Sequence, residues 1–421
     1  MIPELRRAYN ARFSQARYDA FIRDLDTSVS YPTDFHVCET PLFLSAPLTE
    51  KLLCATSEIV SVLRSPQYLA HVEGAIPAGA NVPGETPHPL FLQLDFAICR
   101  ADDRDEALDA DAYDDDAFVP RLIELQGFPS LFGFQWLLDL KIRQYFEIDS
   151  GLRFYFGEHD AESFTRLLRD AVVADADPKT VILMDVEPEH QKTRIDFACT
   201  EHLLGIRSVC LTKVLRRGRQ LFYRDDGMGG AGREVPITRI YNRVIFDDLS
   251  REPRETQFKF GDDVDVQWAG HPNWFFKISK FSLPLLYEAL PDAGYVLPCH
   301  FLHELDSYPP NLERYVLKPL YSYSGMGVEL DVTLEKLDTI PAPQRSDYIL
   351  QRQTAYAPLV ETPDGYSRAE VRVMLIWPED YPDPEPVCTL VRMSKGRMMG
   401  TRFNRQHTWV GSTLAYHVPV G

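Results

Sequence analysis

The chain has 421 residues, 45% hydrophobic and 12% aromatic, and these proportions indicate a globular protein with more than one sizeable core. Its formal net charge of −18 argues against nucleic acids and membrane surfaces as partners, because phosphate-rich surfaces attract a basic face. The apolar runs are short and interrupted by charges or prolines, so the sequence predicts neither a transmembrane helix nor a signal peptide. We therefore expect a cytoplasmic protein.

The seven cysteines are scattered and form no Cys-x-x-Cys pair. This distribution is typical of reduced thiols buried as small hydrophobic side chains, so we expect neither a zinc site nor a disulfide framework. Part of the negative charge lies in residues 101–116. We interpret that segment as a solvated loop, with a calcium site as the alternative, although its spacing is not that of an EF-hand.

Residues 1–75 form the first predicted segment, which is mainly helical. Its clearest helix, TEKLLCATSEIVSVLRSP, has apolar residues at helical spacing and ends before Pro66. The second segment, residues 76–150, begins with a loop rich in proline and glycine. Two strands follow, LFLQLDFAICR and FVPRLIELQGF, which we expect to be antiparallel neighbours, and then a buried helix, SLFGFQWLLDLKIRQYF.

Residues 151–268 form the third segment, a small α/β domain. A strand in KTVILMDVEP, a helix that ends at Gly205 and a strand in RSVCLTKV alternate there. Two more strands, RQLFYR and PITRIYNRVIFDDL, flank the turn DGMGGAG. That turn lacks the spacing of a dinucleotide-binding loop and precedes a strand, so it predicts a hairpin.

The last segment, residues 269–421, contains the helix KFSLPLLYEAL and then a strand, a turn and a strand in RYVLKPLYSYSGMGVELDV. Further strands, YILQRQ, AEVRVMLIW and PVCTLVRMSK, follow in an antiparallel series. The overall prediction is an α/β fold with α+β elements. An N-terminal helical segment precedes it.

Lys318 ends an apolar strand and is followed by a turn of small residues from Ser322 to Gly327. An ammonium group beside such a turn can hold a polyphosphate, because the turn also presents backbone N–H groups. Ser322, Ser324, Gly325 and Gly327 are the candidate turn residues. The lysine precedes the glycines and no helix follows, so this is not a Walker A loop. The alternative is an ordinary hairpin with a solvated lysine.

Glu124 and Gln126 lie two residues apart and therefore on one face of their strand. One interpretation is an edge strand with one wet face. The other is a pair of oxygen ligands for a hard cation such as magnesium. The residues alone leave both interpretations open.

In their order along the chain, these segments resemble the circularly permuted ATP-grasp family, in particular its glutathionylspermidine synthase-like members. By this resemblance, Lys280 and Lys318 bind the nucleotide, with Lys277 as the other candidate for the first lysine. The strand YILQRQ resembles the family's adenine-reading hinge, with Gln351 or Gln353 in place of the usual acid.

The resemblance also implies a set of charged residues on the remaining strands. AEVRVMLIW resembles the strand that carries Glu370 and Arg372, and Arg392 resembles a phosphate-facing cation on the next strand. The magnesium ligands stand upstream in the permuted order. They are Asp95, Glu124 and Gln126, the last in place of the family's asparagine.

The function that the resemblance implies is an ATP- and magnesium-dependent ligase, which joins a small carboxylate to a small amine through an acyl phosphate. Arg372 and Arg392 are its candidate catalytic residues. The alternatives are a phosphotransferase of the same fold, a nucleotide-binding protein without turnover, and a coincidental order of motifs. The fold implied is a permuted ATP-grasp core with a small α/β domain before the nucleotide-binding lobe.

Three further groups of residues have two interpretations each. The first group either borders the acceptor substrate or forms a salt-bridged corner; it consists of Arg239, Asn242, Arg243 and Asp247. The histidines and aromatic residues of 271–276 and 403–412 either close the site or belong to the core.

Overall fold

The computed structural model of the chain describes residues 2–102, 117–225, 232–246, 249, 254–322, 325–400 and 403–420. Most of the acidic segment, most of the glycine-rich turn, Ser324 and Asp247 lie outside the described residues. In the described ranges, no helix combines the length and the apolar character needed to cross a membrane.

Four helices precede residue 73, as the apolar spacing predicts, although residues 28–41 and a short strand interrupt them. Two later helices begin at side-chain caps. The N-terminal N–H groups of the helix after Leu131 are bound by Asp196, and Asp160 forms a capping box with Ser163. The helix bounds are α1 Pro3–Arg12, α2 Gln15–Thr27, α3 Ala46–Leu63, α4 Pro66–Val72, α5 Phe132–Tyr145, α6 Ala161–Val172, α7 Arg194–Leu204, α8 Asn273–Lys277, α9 Ser282–Ala289 and α10 Leu334–Asp338.

The largest sheet joins strands from both halves of the chain. Its order is β17-β16-β15-β2-β3, all neighbours are antiparallel, and β14 also pairs with β15. Because β2 lies between two neighbours and both faces of the sheet are covered, all ten of its residues are buried. The bounds are β2 Phe91–Arg100, β3 Phe118–Gln126, β14 Val360–Thr362, β15 Gly365–Ile376, β16 Glu385–Ser394 and β17 Gly411–Thr413.

The two faces of this sheet bury different cores, since successive side chains of a strand point to opposite faces. On one face, Leu94 and Phe96 pack with α3 and with residues of a smaller antiparallel sheet. On the other face, Phe91 and Met374 pack with α5 and α6. By the same alternation Gln93 and Asp95 of β2, with Glu370 and Arg372 of β15, lie on this second side.

A parallel sheet of order β10-β9-β4-β5 forms the α/β unit. Helix α7 connects β4 to β5 and ends at Gly205, whose φ of 71° lies in the left-handed region. A three-stranded antiparallel sheet, β6-β7-β8, follows β5 in the chain. The bounds are β4 Val181–Asp185, β5 Arg207–Cys210, β6 Leu215–Arg217, β7 Gln220–Asp225, β8 Arg233–Ile237, β9 Arg239–Asn242 and β10 Gln267–Ala269.

Two small sheets complete the fold. An antiparallel sheet of order β11-β13-β12 packs over one end of the large sheet, and β1 pairs in parallel with β18. The second pairing joins residues 42–44 to residues 415–417. The bounds are β1 Leu42–Leu44, β11 Cys299–Phe301, β12 Tyr315–Pro319, β13 Tyr348–Arg352 and β18 Ala415–His417.

Several sequence predictions are confirmed. Strands β2 and β3 are antiparallel neighbours, strand, helix and strand alternate from 181 to 210, and β7 pairs with β8 across the glycine-rich turn. Two predictions are wrong. The strand expected after Gly327 is reduced to a single bridge between Leu317 and Glu329, and the strand expected over 236–249 is divided between two sheets. The domain boundaries stay predictions.

Candidate functional site

A cleft of about 1810 Å³ lies where three sheets meet. Arg372 and Arg392 of the large sheet line it on one side, and Lys318 of the β11-β13-β12 sheet lines it on another. Asp185, at the carboxyl end of β4, lies on the border with the α/β unit. The cleft is therefore formed by segments that are far apart in sequence.

Lys318 is a buried cation held by two oxygen atoms. Its Nζ donates to Oε1 of Gln351 at 2.6 Å and to the carbonyl of Ile123 at 3.0 Å. That carbonyl lies at a β-bulge, where Ile123 has no partner in the pairing of β2 with β3. Burial and the nearby Lys280 charge lower the pKa of Lys318, against the opposing effect of Glu124.

Lys280 lies just before α9 and links the turn after Lys318 to the large sheet. Its Nζ lies 3.1 Å from Oε1 of Glu124 and donates a hydrogen bond to the carbonyl of Ser322. Gly325 and Gly327 have φ values of 68° and 70°, so this turn needs residues without a Cβ at both positions. A Cβ on Gly327 would also lie 2.8 Å from Pro319.

Arg372 and Arg392 form part of the wall of the cleft, above a buried carboxylate. Arg372 donates through Nε and Nη2 to the two oxygens of Asp95, the latter at 2.7 Å, and through Nη1 to Gln93 at 2.7 Å. Arg392 donates to Asp95 at 3.1 Å and also to Glu370. Asp95 is 1% exposed and does not line the cleft.

Glu370 was expected on the same strand as Arg372 but without an assigned role, and Tyr356 was not predicted. The hydroxyl of Tyr356 donates to Oε2 of Glu370 at 2.7 Å, and both residues line the cleft. Burial raises the pKa of Glu370, although the charge of Arg392 opposes the shift. The alternation of Glu370 with Arg372 along β15 was a sequence signal for the acid, whereas Tyr356 had none.

The cleft is cationic in an otherwise acidic protein. Among the described residues that line it, 12 are lysine or arginine and 5 are aspartate or glutamate. The whole chain has 44 and 62 of these residues, so the balance is reversed at the cleft. A concentration of cations in a concave surface attracts anionic ligands.

Most of the predicted site residues meet in this cleft, although their roles stay predictions. The residues that line it are Lys280, Lys318, Ser322, Gly325, Gln351, Gln353, Arg372, Arg392, Glu124 and Gln126. Gly327 and Asp95 lie beside or beneath it, and Ser324 lies outside the described residues. Lys277 points elsewhere, because its Nζ lies 2.6 Å from both Glu73 and Glu85.

The two glutamines predicted for the hinge, Gln351 and Gln353, use their amides within the protein. Gln351 donates to the carbonyl of Leu122 at 3.3 Å while it accepts from Lys318. Gln353 donates to the carbonyls of Tyr315 at 2.8 Å and Leu330 at 2.6 Å. These contacts tie β13 to its surroundings and fix the orientation of both amides.

The predicted magnesium ligands do not form a closed cation site. Within the described ranges, no group of three His, Cys, Asp or Glu side chains is placed to hold a metal ion. Both oxygens of Asp95 accept from arginines, and Glu124 pairs with Lys280. Glu124 and Gln126 still face the cleft with oxygen atoms that suit a hard cation. Their role as magnesium ligands stays a prediction.

Arg243, Arg239 and His271, which the sequence could place either at the site or in the protein interior, have structural contacts. Arg243 pairs with Asp196 at 2.6 Å, both are nearly fully buried, and Asp196 also caps α5. Arg239 donates to the carbonyls of Ala171 and Val172. Nε2 of His271 lies 3.2 Å from the carbonyl of Pro83, and burial lowers the pKa of His271 to about 4.

No family model matches the chain. Among solved structures, the chain is similar to a glutathione synthetase-like effector from Globodera pallida in its apo form, at 13% sequence identity. The match covers 96% of each chain with a TM-score of 0.56. At this identity the likeness concerns the fold, and it is consistent with an ATP-grasp-like fold.

Proposed function

We propose that the chain is an ATP-dependent ligase with a circularly permuted ATP-grasp fold, which joins a small carboxylate to a small amine. The observation that carries the proposal is the convergence of Lys280, Lys318, Arg372 and Arg392 on one cleft in a protein of net charge −18. The similarity to a glutathione synthetase-like protein supports the same class of activity.

The charges of the cleft favour a nucleotide that carries its own magnesium ion. The four cations face three carboxylates, Asp95, Glu124 and Glu370, so the surplus of positive charge at the centre is small. A free ATP tetra-anion would be poorly compensated there, whereas the magnesium complex has half that charge. We therefore propose the magnesium–ATP complex as the substrate.

Each cation has a separate part in the proposed reaction. Lys280 and Lys318 bind phosphate oxygens beside the turn that begins at Ser322, and Lys318 needs no reorientation because two acceptors already hold it. Arg372 and Arg392 offer N–H groups to the anionic oxygens of the carboxylate and of the transferred phosphoryl group. The carboxylate attacks the γ-phosphorus of ATP and displaces ADP. The amine then attacks the carbonyl carbon of the acyl phosphate, so that the C–N bond forms while phosphate leaves and the proton of the amine passes to solvent.

Calorimetric titration with ATP, with and without magnesium, tests the proposal. We expect wild type to bind the magnesium complex and Lys318→Met to lose that binding. Glu288→Gln is the control, since this exposed residue of α9 does not line the cleft. Wild type that binds no nucleotide at any magnesium concentration would contradict the proposal.

ADP release in mixtures of small carboxylates and amines then distinguishes a ligase from its alternatives. Release that requires both substrates supports the ligase. Release with the carboxylate alone, together with a stable phosphorylated product, would indicate a phosphotransferase. Binding without release in any mixture would indicate a protein that has lost turnover.

A further inference from the structure

The carboxylate of Asp95 binds two arginines, Arg372 and Arg392, at the same time. In the register of the large sheet it lies opposite Glu124 on β3 and opposite Arg372 on β15. Arg392 reaches it from β16, one strand further along the sheet. The carboxylate is therefore enclosed by the sheet and by the guanidinium groups above it.

Two carboxylates and two arginines alternate in this part of the sheet. Arg372 binds Asp95 with two parallel hydrogen bonds, and Arg392 bridges Asp95 and Glu370. Gln93 and Tyr356 bind the outer ends of the network. Paired contacts of this kind fix the plane of a guanidinium group as well as its charge.

The same geometry argues against a cation at Asp95. A divalent ion there would have to displace charge-assisted hydrogen bonds from Arg372 and Arg392, and it would then lie next to two positive groups. The arginine charges also overcome the effect of burial and hold the pKa of Asp95 below its usual range. The carboxylate thus already has its counter-ions.

We propose that Asp95 is a positioning residue, which orients Arg372 and Arg392 toward the cleft and does not bind a metal ion. Arg372 has five N–H donors, and its bonds to Asp95 and Gln93 use three of them. In the part of the chain that the structure describes, the other two have no protein acceptor. This inference rests on the proposed nucleotide site for its consequence, but the orientation itself can be measured without a nucleotide.

The first measurement is NMR of the arginine Nε–H groups in ¹⁵N-labelled protein. Signals are assigned by their loss in Arg372→Lys and Arg392→Lys. If Asp95 holds the arginines, the Arg372 signal of wild type is sharp and protected from exchange with solvent, and saturating magnesium leaves it unchanged. In Asp95→Asn the same signal shifts and broadens. A signal that magnesium displaces in wild type, but not in Asp95→Asn, would overturn the proposal.

The second measurement is a double-mutant cycle on nucleotide affinity, with Asp95→Asn, Arg372→Gln and the double variant. We expect Asp95→Asn to weaken ATP binding about tenfold with or without magnesium, and the double variant to bind no more weakly than Arg372→Gln. Loss of the magnesium dependence in Asp95→Asn, with metal-free binding intact, would identify a metal ligand instead. If Asp95→Asn binds ATP with the affinity of wild type, both with and without magnesium, the proposal is also overturned.

Asp139→Asn is the matched control, since Asp139 is a buried carboxylate paired with Arg143 at 2.9 Å and does not line the cleft. Arg372→Lys keeps the charge but loses the two-point contact, so it repeats the test if Asp95→Asn does not fold. Wild type that binds no nucleotide would contradict the proposed function alone, because the NMR measurement still decides the role of Asp95.

Discussion

The ammonium group of Lys280 lies 3.1 Å from Oε1 of Glu124. The sequence assigned these residues to different ligands, the lysine to the nucleotide and the carboxylate to magnesium. In the structure they neutralise each other across the cleft, between the segment just before α9 and strand β3. A ligand that takes either residue must therefore compensate the other, so at the proposed nucleotide site the binding of phosphate would be coupled to the binding of its cation.

Replacing Glu124 should weaken this coupling. In Glu124→Gln the charge of Lys280 is no longer compensated, so we expect metal-free ATP to bind more tightly and the benefit of magnesium to fall by about tenfold. Calorimetry with and without magnesium measures both affinities. Glu313→Gln, at an exposed position on the cleft, is the control, and an equal change in that variant would contradict the explanation.

The lowered pKa of Lys318 predicts opposite effects of pH on binding and on stability. The protonated form binds anions, so nucleotide affinity should fall as the pH rises through a value below the usual 10.5. The unliganded fold should become more stable over the same range, because the unfolded chain keeps the proton longer. Titrations and urea unfolding at alkaline pH measure these two slopes.

Lys318→Arg is the control for this pH dependence. Arginine stays charged at these pH values, so the affinity of the variant should be nearly constant across the range in which that of wild type falls. A wild type whose affinity is equally constant would contradict the role of Lys318 as the titrating cation.

Loss of Lys277 should affect the stability of the fold, whereas loss of Lys280 should affect ATP binding. Lys277 is buried, pairs with Glu73 and Glu85 and does not line the cleft, so Lys277→Met should lower the free energy of unfolding and leave ATP affinity unchanged. Lys280→Met should weaken ATP binding about tenfold or more. Urea unfolding and calorimetry on both variants give the comparison. Weaker binding in Lys277→Met would reverse the assignment.

The buried pair of Arg243 and Asp196 should act on stability. Arg243→Met leaves Asp196 charged and without its partner, at a cost of about 3 kcal/mol in the free energy of unfolding. The double variant with Asp196→Asn should recover part of this loss, since no unpaired charge remains. Urea unfolding measures both values. A single variant that unfolds like wild type would show that the pair is not structural.

Local patterns predicted the strands well, since β2, β4 and β15 are marked by runs of apolar residues that the structure buries. The pairing of β1 with β18 was not predictable, because strands of three residues show no periodicity. The choice between Lys277 and Lys280 likewise depended on side chains from distant segments, Glu73 and Glu124.

The sequence predicted which residues lie at the cleft better than the contacts that they make, and their roles stay predictions. The resemblance to a permuted fold implied a common site for Asp95 and Arg372, although 277 positions separate them. It could not show that the arginine takes both oxygens of the acid, since that depends on the register of β2 against β15. The concentration of lysine and arginine in the cleft was also not predictable from the sequence, because separate segments contribute these residues.

The pairing of β2 with β15 has a consequence for how the protein is made. At a synthesis rate of roughly 5–20 residues per second, the ribosome needs on the order of 15–55 s to extend the chain from one strand to the other. During that time the ten largely apolar residues of β2 have an unpaired edge. We therefore expect chaperones to bind the nascent chain in this interval, and a chain released before β15 to aggregate.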